Sequence, residues 1–115
     1  MREILFKAKR KDNGEWVEGA YCPSSLDSLL GEMKPKPNII KLGGEYDGFW
    51  FEVIPETVSQ YTGLKDKNGK KIFEGDIVIP RYNGFSQFPV EYNNGAYNIA
   101  RYSVSRCEVI GNIYD

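Results

Sequence analysis

Tyr61-Thr62-Gly63-Leu64-Lys65-Asp66-Lys67-Asn68-Gly69-Lys70-Lys71-Ile72-Phe73-Glu74-Gly75-Asp76, running straight into Ile77-Val78-Ile79-Pro80, carries the pattern on which the fold turns. Short β-prone runs are cut by Asn-Gly and Glu-Gly-Asp before an apolar period long enough for a helix can build up. Asn and Gly both tolerate positive φ, so Asp66 with Asn68-Gly69 predicts a tight turn between two strands. Pro80 has no amide to give to a ladder and closes the strand at 77–79.

The same punctuation continues toward the C-terminus. After a loop at Asn83-Gly84, Phe88-Pro89-Val90-Glu91-Tyr92 leads into Asn93-Asn94-Gly95, and Ala96-Tyr97-Asn98-Ile99 returns. Asn-Gly between β-prone runs is the strongest short hairpin signal in a sequence. Cys107-Glu108-Val109-Ile110-Gly111-Asn112-Ile113-Tyr114 reads as the last strand, bulged at Gly111. Several short strands with polar turns predict a small barrel or sandwich.

Toward the N-terminus, the alternation of Ile4, Phe6 and Ala8 with Leu5, Lys7 and Lys9, then Asp12-Asn13-Gly14, then Trp16 to Tyr21, predicts a hairpin over 3–21. Leu26, Leu29, Leu30 and Met33 fall at i, i+3, i+4 and i+7, which predicts one short helix over 24–33, capped by Ser25 and stopped by Pro35. Ile39-Ile40-Lys41-Leu42 is expected to be a strand ended by Gly43-Gly44. Asp47-Gly48 marks a turn, and Phe49-Trp50-Phe51-Glu52-Val53-Ile54 is expected to be a strand buried on both faces. The chain therefore reads as mainly β, α+β overall. An N-terminal α+β subdomain is expected over 1–58 and a barrel subdomain over 59–115, packed as one unit with a seam near Pro55–Ser59.

Composition narrows the chemistry. The 115 residues are long enough for a working core without staples. There is no histidine, which removes the commonest general base and transition-metal ligand. Cys22 and Cys107 stand alone and cannot make a structural zinc site between them. The N-terminus lacks the apolar segment of a signal peptide, and no apolar run approaches the ~18 residues of a membrane span. A reducing cytosol with both thiols free is expected, with no membrane, metal or cofactor. A net charge of −1 argues against a general nucleic-acid coat. Charge is uneven: residues 1–11 carry five cations against Glu3, and residues 45–56 carry Glu45, Asp47, Glu52 and Glu56 with no cation. These segments are expected to be solvated strand faces, with a protein–protein contact between them as the sharper alternative.

The segment Gln60 to Val78, opened by Gln60-Tyr61-Thr62-Gly63-Leu64 and closed by Phe73-Glu74-Gly75-Asp76-Ile77-Val78, resembles the signature of the YopX family. Arg2-Glu3-Ile4, Trp16-Val17-Glu18-Gly19, Val53-Ile54-Pro55-Glu56-Thr57-Val58 and Glu108-Val109-Ile110-Gly111-Asn112-Ile113-Tyr114 are similar to that family in the same order. The resemblance implies a phage or prophage origin, a bacterial host cytoplasm and an SH3-like C-terminal barrel. It also implies a tendency to form homo-oligomers, and it implies no established activity.

Three local patterns carry candidate chemistry. Asp66-Lys67-Asn68-Gly69 starts like a calcium loop, but Lys70 and Lys71 repel a cation, so an Asx-type turn is expected. Glu74 and Asp76 would share one face of a strand, where acid–base work is conceivable; a turn in which Asp76 bonds nearby backbone N–H groups is preferred. Lys65, Lys67, Lys70 and Lys71, flanked by Tyr61 and Phe73, form the candidate interaction surface. Such a loop can follow a phosphate backbone while its aromatics stack on bases, or it can guard a strand edge against aggregation, which is favoured. The expected function is a non-catalytic protein-interaction or assembly module acting on itself or on a host or phage protein. The alternative is a nucleic-acid-associated accessory protein using Lys65–Lys71.

Overall fold

The computed structural model describes residues 4–27, 32–41 and 48–115, with side-chain surroundings for all of these except 24–27, 32–36, 40 and 41. The protein is mainly β and its ladders are antiparallel. The chain divides into two units, Ile4–Ser59 and Gln60–Asp115.

In the N-terminal unit the strands are β1 (Phe6–Lys9), β2 (Trp16–Asp27), β3 (Glu32–Lys41) and β4 (Trp50–Glu52), in the order β4-β3-β2-β1. The β1–β2 turn follows the local chemistry expected of Asp12-Asn13-Gly14. Asn13 Oδ1 accepts the Glu15 amide at 2.9 Å, and Gly14 takes φ +72°. Beyond β4 the chain crosses to the end of β1. Val53 bridges Arg10, the Lys11 amide donates to the Glu52 carbonyl at 2.9 Å, and the Ile54 amide donates to the Lys9 carbonyl at 2.9 Å. A 3-10 turn at Pro55–Thr57 holds this corner, where the Thr57 hydroxyl accepts the Lys9 amide and donates to the Ile54 carbonyl. Ala8, Val17, Ile39 and Val53 form the core beneath, with Phe6, Tyr21, Phe51 and Val58 packed around it.

The short helix expected over 24–33 is not formed. Residues 24–27 end β2 and residues 32–33 begin β3, with Leu26 opposite Met33 and Asp27 opposite Glu32; residues 28–31 lie outside the described residues. A ten-residue helix is marginal in isolation, and Gly31 weakens it further. The long ladder from Gly19–Lys41 outward supplies backbone bonds that the helical period could not reveal. Pro23 is accommodated at the bulge between Cys22 and Ser24. The apolar run 49–54 is likewise not buried on both faces: Phe49 is 56% exposed and Trp50 55%, whereas Val53 is buried. Leu42 to Asp47 also lie outside the described residues.

The C-terminal unit holds β5 (Ser59–Lys65), β6 (Lys71–Phe73), β7 (Asp76–Pro80), β8 (Phe88–Pro89), β9 (Tyr92–Asn93), β10 (Ala96–Tyr97) and β11 (Cys107–Asn112). β5 pairs with β6, β9 with β10, and a three-stranded sheet runs β11-β7-β8. The β9–β10 hairpin turns through Asn94 at φ 52° and Gly95 at φ +83°, the left-handed pair its sequence predicts. The bulge in β11 falls between Val109 and Gly111, as the glycine predicts. Ile72, Val78, Val90, Tyr97, Ile99, Cys107 and Val109 make the core. Each large apolar side chain fully buried there contributes about 1.5–3 kcal/mol. The closed SH3-like barrel is not drawn by these ladders. Among the described residues β8, β9 and β10 are two residues each, and 3-10 turns at Asn98–Arg101 and Val104–Arg106 interrupt the path. Pairs this short leave β8 and β11 as edges.

Candidate functional site

The candidate surface expected from sequence is the β5–β6 hairpin. Its turn is built around Asp66, which is buried. Asp66 Oδ1 accepts the amides of Asn68 at 2.8 Å and Lys70 at 2.9 Å, which is the Asx-type turn. Oδ2 accepts the amide of Val109 at 2.9 Å, 43 residues away on β11. The Lys67 amide donates to the Cys107 carbonyl at 2.8 Å. The loop is therefore docked along the outer edge of β11, the end strand of its sheet. Burial pushes the Asp66 carboxyl up, but hydrogen bonds from Val109, Lys70 and Asn68 and the charge of Lys70 outweigh it and hold the group below the usual carboxylate range. The nearby Cys107 thiol is pushed up by burial and, less, by the Asp66 charge.

The hairpin separates the six candidate residues. Tyr61 and Phe73 face each other across the ladder, with ring centroids 5.5 Å apart, and are only 4% and 1% exposed. They belong to the packed interior and present no face for a base to stack on. Lys65, Lys67 and Lys70 are exposed; Lys71 is half-buried, its Nζ 5.9 Å from the Tyr61 ring centre. Lys65 stands opposite Lys71 in register, a like-charge pair that a ladder does not favour.

Glu74, Gly75 and Asp76 form a junction. Asp76 is fully buried; Oδ2 accepts the Phe73 amide at 2.8 Å and Oδ1 accepts the Asn112 side-chain amide at 2.9 Å. Glu74 Oε1 accepts the Gln60 amide at 3.1 Å. Gly75, at φ +81°, donates to Val90 and accepts from Ile113. Both carboxylates hold backbone, and Asp76 holds the Asn112 side chain as well.

A second site lies in the N-terminal unit, where Arg10, Lys11, Asp12, Trp50, Phe51 and Glu52 line an open cleft of about 400 Å³. Arg10 lies over the Phe51 ring at 4.6 Å and grips Asp12 with two bonds, Nη2 to Oδ2 at 2.7 Å and Nε to Oδ1 at 3.1 Å. Lys11 Nζ meets Glu52 at 3.1 Å. The basic N-terminal segment and the acidic segment thus meet inside one unit. Exposed pairs of this kind add at most about 1 kcal/mol.

The model of the YopX protein family matches residues 5–115. The chain belongs to the YopX family. Among solved structures, a crystal structure of protein EF1440 from Enterococcus faecalis is similar to this YopX-family chain. The two are 22% identical, the match covers 99% of this chain and 95% of that one, and the TM-score is 0.57. At that identity the likeness speaks to the fold.

Two features of this YopX-family protein escaped the sequence reading. One is the cleft beside Trp50, whose residues lie 40 positions apart along the chain. The other is a run of aromatic contacts in the C-terminal unit. Arg106 lies over Tyr82 at 4.5 Å, Tyr82 meets Phe85, Phe85 meets Tyr102, and Tyr102 stacks on Phe88 at 4.6 Å. The sequence holds a trace of it in two Arg-Tyr steps, Arg81-Tyr82 and Arg101-Tyr102. Among the described residues no helix is long and apolar enough to cross a membrane.

Proposed function

We propose that this protein is a non-catalytic interaction module that associates with further copies of itself through the β4 side of its N-terminal unit. The observation that carries the reading is the pair Phe49-Trp50, both more than half exposed on and beside a three-residue end strand. Two large aromatics more than half exposed at the end of a sheet favour burial against a partner, and Trp dominates contact energy at such surfaces. The rim of Arg10, Lys11, Asp12 and Glu52 supplies charges of both signs, which suits a self-complementary contact. A host or phage protein bearing an exposed strand would fit the same edge. Phage or prophage origin and a bacterial cytoplasm belong to the same reading; the free thiols of Cys22 and Cys107 are in keeping with it.

Light scattering and sedimentation over a wide concentration range test this. A mass that rises with concentration, with the rise displaced about tenfold or more by Trp50→Ala, supports it. A monomer at every concentration, or association indifferent to Trp50→Ala, removes self-association through β4.

A further inference from the structure

We propose that the aromatic and arginine face of the C-terminal unit, formed by Tyr82, Phe85, Tyr102, Arg81 and Arg106 and extended by Lys67, binds single-stranded nucleic acid. It lies within the C-terminal unit, whereas the proposed association surface belongs to the N-terminal unit, and of the hairpin lysines that sequence singles out it takes in Lys67 alone.

Backbone bonds bring together the segments that carry the cations. The Lys67 amide donates to the Cys107 carbonyl at 2.8 Å, and the Arg81 amide donates to the carbonyl of the preceding residue, Arg106, at 2.9 Å. Three neighbouring segments therefore carry Lys67, Arg106 and Arg81 side by side, with backbones spaced about 5 Å apart. All three are exposed. Arg106 is fixed over Tyr82 by ring contact, which orders the guanidinium without consuming its N–H donors. Arg81 reaches Glu108 only at 3.4 and 3.5 Å, long enough to exchange that carboxylate for a phosphate. The two buried carboxylates of this unit, Asp66 and Asp76, are turned into the fold and bonded there, so the outward charge is more positive than the unit's composition suggests.

The aromatics decide the partner. Phe85 is 44% exposed and sits edge-on to both Tyr82 and Tyr102, at 5.4 and 5.5 Å. The Tyr82 hydroxyl accepts the Ser103 amide at 2.7 Å, pinning the loop at 82–85 to the segment at 102–103. A held aromatic platform flanked by cations suits unstacked bases on a phosphate chain. An acidic peptide would meet the cations and leave the rings idle, and a duplex keeps its bases stacked inside.

The experiment is fluorescence anisotropy of the full chain with a labelled oligothymidylate of about 15 nucleotides in low salt. Micromolar binding is expected, with a log–log salt slope near about −2 for three phosphate contacts. Phe85→Ala should weaken binding about fivefold or more without changing the slope. Arg81→Gln and Arg106→Gln should each make the slope shallower by about 0.7. Should Phe85→Ala fail to fold by circular dichroism, Arg81→Gln carries the test alone, because among the described residues its side chain holds Glu108 by two long contacts and sits exposed. Absence of binding in low salt overturns the proposal, as does binding unmoved by these variants. Duplex bound as tightly as single strand, or full competition by polyglutamate, overturns it as well.

Discussion

Replacing Asp66 by Asn should cost about 2–3 kcal/mol, far more than replacing any lysine around it. The figure follows from which oxygen does what. Asn keeps one carbonyl oxygen, enough for the turn bonds from Asn68 and Lys70. It puts an NH₂ where Oδ2 now accepts the buried Val109 amide. Two donors then face each other, one backbone N–H goes unsatisfied at about 1–3 kcal/mol, and the remaining bonds lose their charge assistance. Asp66→Ala removes both acceptor oxygens, and with them all three hydrogen bonds, and should cost about 4 kcal/mol. Lys70→Ala should cost less than about 1 kcal/mol, since the Lys70 amide bond to Asp66 survives and the change removes an exposed charge. Urea unfolding at neutral pH, with an unchanged m-value, measures each. The pH dependence supplies the sign. The folded Asp66 pKa lies below the ordinary 3.8, so its stabilisation is complete above the unfolded value and is lost as pH falls through the folded one. The gap between wild type and Asp66→Asn should therefore narrow in acid. An Asn variant as stable as wild type at neutral pH, or a gap that persists in acid, would refute this account of the loop.

Three further outcomes follow from single contacts. Gly95→Ala should destabilise by about 1–2 kcal/mol through backbone strain alone, because nothing lies within 4 Å of the added Cβ at φ +83°; thermal unfolding reads it. Ile39→Ala should cost about 2–5 kcal/mol in the N-terminal unit, where Ile39 is fully buried, measured by urea titration followed through Trp16. In the native protein at mildly alkaline pH, iodoacetamide should label half-buried Cys22 well before buried Cys107, whose thiol is pushed up; denaturant should abolish the difference, and mass spectrometry follows both sites.

What could be read in the sequence was local. Asn13-Gly14, Asn68-Gly69 and Asn94-Gly95 announce their turns because the left-handed backbone there is set by those residues themselves. Gly111 announces its bulge for the same kind of reason. The stretch 24–33 misled because Leu26, Leu29, Leu30 and Met33 satisfy the helical period, while the ladder that overrides it pairs Leu26 with Met33 and Asp27 with Glu32. Tyr61 and Phe73 looked like flanks of a basic surface, yet their register places them opposite each other and inward. The aromatic face around Phe85 was invisible because its members sit in irregular segments without any period. Asp66 was legible as a turn residue and illegible as the anchor for a strand 43 positions on.

The docking of that one loop gives acid a way to make the protein sticky. Protonating the Asp66 carboxyl frees the clasp and bares the Cys107 carbonyl and Val109 amide together, on a strand whose next residues include exposed Ile110 and Ile113. A bared strand of that kind is a seed for cross-β stacking. Low-pH handling should thus thicken the protein into fibrils before it merely melts, and the lysines around the clasp would be the last brake on that growth.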